Sequence, residues 1–224
     1  LCLEISGPPD AGITVVSGTS YSESMTGVLA MLSASHAVQG IIIGAVMAFL
    51  AANLIMSAVM KSMTTTVNGW STTLKCGQPG NGIMVRAACA RILPAVNVVQ
   101  EAAYWTTTVD STGRTLNGRH DYVLHFSAGQ LPPNEAFWSL TITDVAGFMV
   151  SNAMNRYSVG GRSGLVASAD GSIDIYIRCT APAGQESNWL PAPAGRFKLM
   201  LRAYLPGRPV LDGEYHVPPV TRVQ

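Results

Sequence analysis

The residues able to do chemistry in this 224-residue chain are few and scattered. Between residues 110 and 216 the carboxylates are Asp110, Asp121, Glu135, Asp144, Asp170, Asp174, Glu186, Asp212 and Glu214, and the imidazoles are His120, His125 and His216. A metal site needs three or four converging ligands, and no pair among these has the spacing of a known metal motif. Nor is there a Gly-x-Ser-x-Gly elbow or a phosphate loop. Asp110, Asp144, Asp170 and Asp212 stand beside turn residues, where a carboxylate commonly accepts nearby backbone N–H groups. His125 lies in the alternating run "DYVLHFS" and points away from the Leu124 face. The sequence names no catalytic residue and no metal ligand, and identifies no cofactor.

Three further groups invite a chemical reading. Asn188 and Trp189 open "NWLPAPAGRF", where two prolines either shape a pocket or form a rigid turn that pins Trp189 into a core. Cys76 and Cys89 lie 13 residues apart and could bridge in an oxidising compartment, whereas Cys179 falls on an apolar strand face and reads as a small hydrophobe. The absence of Cys-x-x-Cys argues against a redox or zinc site. His36 stands at the mouth of a long apolar stretch. It is a candidate axial ligand for haem or chlorophyll, because a neutral imidazole binds such metals, against the plainer reading of an interfacial polar group.

That apolar stretch governs the rest. From Ala37 to Met60 no residue is charged, and only Gln39, Asn53 and Ser57 are polar. Residues 37–60 would make roughly 36 Å of helix, enough to cross a ~30 Å hydrocarbon layer with some tilt. Apolar side chains surround the helix instead of lining one face, as lipid exposure requires. A signal peptide would carry a basic start and a shorter apolar core. The expectation is a single transmembrane helix, hence a single-pass membrane protein in contact with lipid.

Along it Gly40, Gly44, Ala48 and Ala52 recur every four residues, with Asn53 beside them. Burial cannot drive association where the solvent is as apolar as Leu, but close backbone approach over small residues can. The ridge therefore points to another transmembrane helix, from other subunits or from a second copy. The competing reading is a small-residue helix that touches only lipid.

Composition agrees with this division. Charged residues are 12% and hydrophobic ones 48% of the chain, about half the usual charge content. No Lys or Arg precedes Lys61. The later part carries a surplus of about four positive charges, too weak to suggest a nucleic-acid partner. Ahead of the span, residues 1–24 read as loop, and "MTGVLAMLSASHA" reads as a helix lying on the membrane or extending the span. Domain boundaries follow: residues 1–36, a loop and an interfacial helix; 37–60, the span; 61–224, the remaining domain.

After Lys61 the period changes. "IMVRAACARIL" is a short helix stopped by Pro94, and "NGWSTTLKCGQPGNG" before it is a loop holding one short strand. Then Tyr122, Leu124 and Phe126 share one face, as do Ile173, Ile175 and Ile177, and Phe197, Leu199 and Leu201. "YWTTTV", "FWSLTIT" and "GFMVS" supply further β-rich runs, separated by turn residues such as Asp110 to Gly113, Asn117-Gly118 and Asp170-Gly171. The fold class is mainly β, an antiparallel, jelly-roll-like β-sandwich with one short helix, preceded by one transmembrane α-helix.

These strings carry a resemblance. "EAAYWTTTVDSTGRTLNGRHDYVLHF", "LPPNEAFWSLTITD", "NRYSVGG", "ADGSIDIYI", "NWLPAPAGRFKLMLRAYLP" and "LDGEYHVPPV", in that order, resemble a bacterial domain-of-unknown-function family, number 1214, the companion of family 1254. The resemblance runs from about Gly69 to Val223. It implies a jelly-roll-like sandwich and, in short members, one membrane anchor with the sandwich facing the periplasm; the long segment 1–36 departs from that plan. It implies no activity and no catalytic residue. Lys61 and Lys75 favour a cytoplasmic domain by the positive-inside rule, but large domains translocate largely regardless of charge. The resemblance therefore sets the expectation: periplasmic or lumenal. Two functions fit. One is a non-catalytic accessory subunit of a larger membrane complex. The other is a membrane-anchored enzyme or a small-molecule or glycan binder using a cleft of the sandwich.

Overall fold

A computed structural model describes residues 19–92 and 97–223, leaving aside the side chains of residues 19–34 and of Ile92. The loop expected over residues 1–18, Cys2 and Pro94 lie outside the described residues. Two compact units meet within the first helix, between Asn53 and Leu54.

Helix α1 spans Thr19–Met63. It begins earlier than expected: residues 19–24, read as loop, are helical. No Gly or Pro falls between Thr19 and Thr26 to break the turn, and the serines that suggested a loop also suit a first helical turn. Ser35–Met63 within α1 is one helix long and apolar enough to cross a membrane. Every residue from Ser35 to Ala52 is exposed.

The second unit takes in the last turns of α1, from Leu54 onward. Thr64 closes the helix by donating its backbone N–H (3.0 Å) and its hydroxyl (2.8 Å) to the Met60 carbonyl, and its Oγ1 lies 3.3 Å from that of Thr73. Strands β1 (Thr65–Val67) and β2 (Trp70–Thr72) follow as a hairpin. Asn68 (φ 54°) and Gly69 (φ 80°) turn it, the left-handed pair that matches the twist of the strands. Helix α2 (Ile83–Ile92) comes next. It buries Ala88 and Cys89 while Arg86 and Arg91 stay exposed. Cys89 is bridged to Cys76, with Cα atoms 5.7 Å apart, so α2 is tied to the loop before it.

The sandwich proper contains β3 (Ala102–Thr107), β4 (Tyr122–Phe126), β5 (Asn134–Asp144), β6 (Ser158–Gly160), β7 (Ile173–Arg178), β8 (Trp189–Pro191), β9 (Phe197–Pro206), the short helix α3 (Arg208–Leu211) and β10 (Val220–Arg222). Six strands form one sheet in the order β1-β2-β3-β9-β5-β6, and four form the other, β10-β4-β7-β8. All neighbours are antiparallel except β7 and β8.

Period-two alternation explains why these segments are strands and which face they bury. Leu124, Ile175 and Ile177 of the small sheet and Phe197, Leu199 and Leu201 of the large one are fully buried, whereas Lys198, Met200 and Arg202 turn outward. The sheets meet through Tyr122 and Phe197, edge to face with centroids 5.8 Å apart, and through Phe126 and Trp138, tilted at 53° and 5.6 Å apart. Each such side chain contributes roughly 1.5–3 kcal/mol by leaving water.

Several expectations need correction. Among the described residues the sandwich unit has two short α-helices, α2 and α3, and a 3-10 turn at Glu186–Asn188, where one short helix was expected. The run "GFMVS" is not a strand: β5 ends at Asp144, which turns the chain, and Phe148 and Met149 are 71% and 62% exposed. Cys179 does not join the core face, because β7 stops at Arg178; it is exposed, with Sγ 2.9 Å from the Gly118 carbonyl oxygen.

Candidate functional site

The membrane-length helix is the first place to look. The side chains of α1 are apolar on every side: Val38, Ile41, Ile42, Ile43, Val46, Met47, Phe49 and Leu50 are each at least half exposed. Gly40, Gly44, Ala48 and Ala52 recur along it as one exposed row. Successive members, four residues apart, are offset by about 40°, so the row winds slowly around the helix. A Cβ added at Gly40 or Gly44 would meet nothing within 4 Å. The ridge is therefore open to whatever surrounds it. Asn53 does not reach outward with its amide N–H: it donates to the Phe49 carbonyl of its own helix at 2.7 Å. His36 is exposed at the end of the segment.

Several titratable groups of the sandwich do structural work. Asp110 is buried, and its Oδ1 accepts the Thr112 N–H (2.8 Å), the Thr112 hydroxyl (2.7 Å) and the Arg114 N–H (3.0 Å). Burial alone would raise its pKa, but the bonds from Thr112 and Arg114 outweigh that, and the carboxyl is held below its ordinary value. Asp170 repeats the pattern: hydrogen bonds from the Ser172 hydroxyl and N–H hold its pKa down. Asp144 accepts the Phe148 N–H at 2.9 Å.

His125 lies on the outer face and pairs through Nδ1 with Asp174 Oδ1 at 2.7 Å, across the β4–β7 register. Arg178 pairs with Asp121 at 3.0 Å. Among the described residues, no group of three or more His, Cys, Asp or Glu is placed to hold a metal ion.

Asn188 and Trp189 are brought together, though neither presents free chemistry. Asn188 is buried and spends its amide on Val166, accepting its N–H and donating to its carbonyl, both at 2.8 Å. Trp189 is 9% exposed, and its indole N–H donates to the Arg178 carbonyl at 2.8 Å. Leu190, the next residue, is the one that enters the central core. Asn188 also borders a polar cleft of about 230 Å³ with Asp174, Tyr176 and Ser187. Arg156 was not visible as a functional candidate. Its guanidinium donates to the carbonyls of Glu186, Trp189 and Ser187, at 2.6, 2.9 and 3.3 Å, and so locks that segment.

A second feature escaped sequence reasoning. The β1–β2 hairpin forms one end of the six-stranded sheet. Between it and the segment from Val210 to Val217 lies a small crevice lined by Val67, Trp70, Leu74, Trp105, Tyr215 and Val217, with Thr65, Thr72 and His216 among its polar lining. Its volume is about 50 Å³, room for a few waters or a short stretch of hydrocarbon. Two of its three aromatic walls have their polar atoms bonded: the Trp70 indole to the Pro218 carbonyl at 2.8 Å, and the Tyr215 hydroxyl to the Gln130 carbonyl at 3.3 Å. Trp105 and Tyr215 pack edge to face at 5.6 Å. Burial holds the Tyr215 phenol well above its ordinary pKa, so it stays neutral. The walls joined here are some 150 residues apart in sequence, and no local pattern signals that meeting.

Residues 101–208 match a family described as Protein of unknown function (DUF1214). No curated protein matches the chain. Among solved structures, the VPA0106 protein from Vibrio parahaemolyticus is similar, with a TM-score of 0.57 and 30% identity over 65% of this chain and 36% of that one. An uncharacterised protein from Burkholderia cenocepacia gives a TM-score of 0.40 at 13% identity, over 78% of this chain and 49% of that one. The chain thus spans about a third of the Vibrio protein and half of the Burkholderia one.

Proposed function

The chain carries a DUF1214 domain in residues 101–208, and on that premise we propose that it is a single-pass membrane protein serving as a non-catalytic accessory subunit. Its helix packs within a larger membrane complex, and its sandwich lies outside the bilayer on the periplasmic or lumenal side. One observation carries this reading. A helix of membrane length exposes its whole surface from Ser35 to Ala52, and its row of small residues is open at Gly40 and Gly44. A backbone that can be approached that closely suits another helix better than it suits lipid.

The Cys76–Cys89 bridge supports the side assigned to the sandwich, because disulfides persist in oxidising compartments. Lys61 and Lys75 pull the other way, but two cations are a small bias against a folded domain. Purification in mild detergent with native mass measurement tests the proposal. Stable co-migration with other membrane proteins is the expected result. A lone monomer carrying a small molecule in one of its clefts would instead favour the second reading, an anchored enzyme or a small-molecule or glycan binder.

A further inference from the structure

We propose that the crevice beneath the β1–β2 hairpin is a binding site for the acyl tail of a membrane lipid. The inference rests on the reading of Ser35–Met63 as a membrane span. If that helix crosses a bilayer, the chain leaves the bilayer surface at about Met63. Thr65 and Val67, both of which line the crevice, then follow within two and four residues. An extended chain covers at most ~3.6 Å per residue, so Val67 lies within roughly 14 Å of the end of the span. The hairpin is also fastened there, through Thr64 and Thr73.

The chemistry of the walls selects the occupant. Val67, Leu74 and Val217 and the rings of Trp70, Trp105 and Tyr215 offer apolar surface, and the Trp70 and Tyr215 polar atoms already have partners. A polar ligand would lose its hydration over the apolar part of these walls, which only Thr65, Thr72, His216 and the Trp105 indole interrupt. A hydrocarbon chain loses only contact with water.

The test uses the intact chain reconstituted in vesicles of phosphatidylcholine containing a trace of the same lipid with a diazirine at the end of one acyl chain. Irradiation is followed by residue-level mass spectrometry. Adducts are expected on the span, which shows insertion, and on crevice residues such as Val67 and Leu74. They are not expected on Thr66 and Ser71, whose hydroxyls pair at 2.9 Å on the opposite face of the same hairpin. Filling the crevice with Val67→Phe, or independently Leu74→Trp, should abolish the crevice adducts and leave those on the span.

Span adducts without crevice adducts would overturn the proposal while leaving the membrane reading intact. So would equal labelling of Thr66 and Val67, or crevice adducts that persist in both filled variants. An unlabelled span would overturn the membrane reading, and the proposal with it.

Discussion

At the scale of single residues, Asp110, Asp144, Asp170 and Glu186 are committed to backbone N–H groups, and Asp121 and Asp174 to ion pairs. Asp110 is the most consequential, since three bonds converge on one buried oxygen. Replacing it by Ala strands two N–H groups and should cost about 2 kcal/mol in urea unfolding of the detergent-solubilised chain. Its pKa is lower folded than unfolded. The stabilisation is therefore complete above the unfolded carboxyl value, about 4, and fades as pH falls through the lower folded value. The wild type should lose more stability than Asp110→Asn between about pH 5 and about pH 2; equal losses would show that Asp110 is not the linked group. Gly118 makes a different demand. A Cβ there would overlap the Pro193 carbonyl oxygen, so Gly118→Ala should lower the melting temperature even though its φ is unremarkable. The roles of Asp110, Asp144 and Asp170 could be read from their turn neighbours in sequence. The Gly118 approach could not, because Pro193 is 75 residues away.

At the scale of elements, legibility followed length and periodicity. Strands β4, β7 and β9 announce themselves because five to ten residues alternate between buried and exposed. Strand β1 has only three residues, too few to show a period, although Asn68-Gly69 was a hairpin signal in plain view. Strand β8 hid inside "NWLPAPAG" because its prolines argue against a strand; it is an edge strand, where a missing N–H is tolerated. "GFMVS" misled in the opposite way, having strand composition but following a turn at Asp144 that releases it to the surface. The Cys76–Cys89 bridge pins α2. Closing a loop of that size stabilises by about 3 kcal/mol, so Cys76→Ser should lower the urea midpoint of the chain, and reductant should do the same to the wild type but not to the variant. If reductant leaves the wild type unchanged, the two cysteines are not bridged in the folded protein.

At the scale of the whole molecule, the apolar helix was legible because nothing but a membrane or a large core tolerates so long an uncharged run. The crevice was not, because it exists only once distant segments meet. The side of the membrane on which the sandwich lies is directly measurable. In sealed vesicles whose interior corresponds to the periplasm or lumen, residues 61–224 should resist protease until detergent is added. Digestion before detergent would place the sandwich in the cytoplasm and remove the support drawn from the disulfide. The central claim, that the small-residue face of α1 is a contact between helices, is tested most directly by the native mass of two variants in mild detergent. Gly44→Leu puts a branched side chain where backbones nearly touch, yet Leu is favourable in lipid. Normal membrane integration, a folded sandwich and loss of the co-migrating partner are expected for Gly44→Leu, with Val46→Leu retaining it. An assembly that survives Gly44→Leu but is lost with Val46→Leu, or that survives both, would show that this face is not the contact.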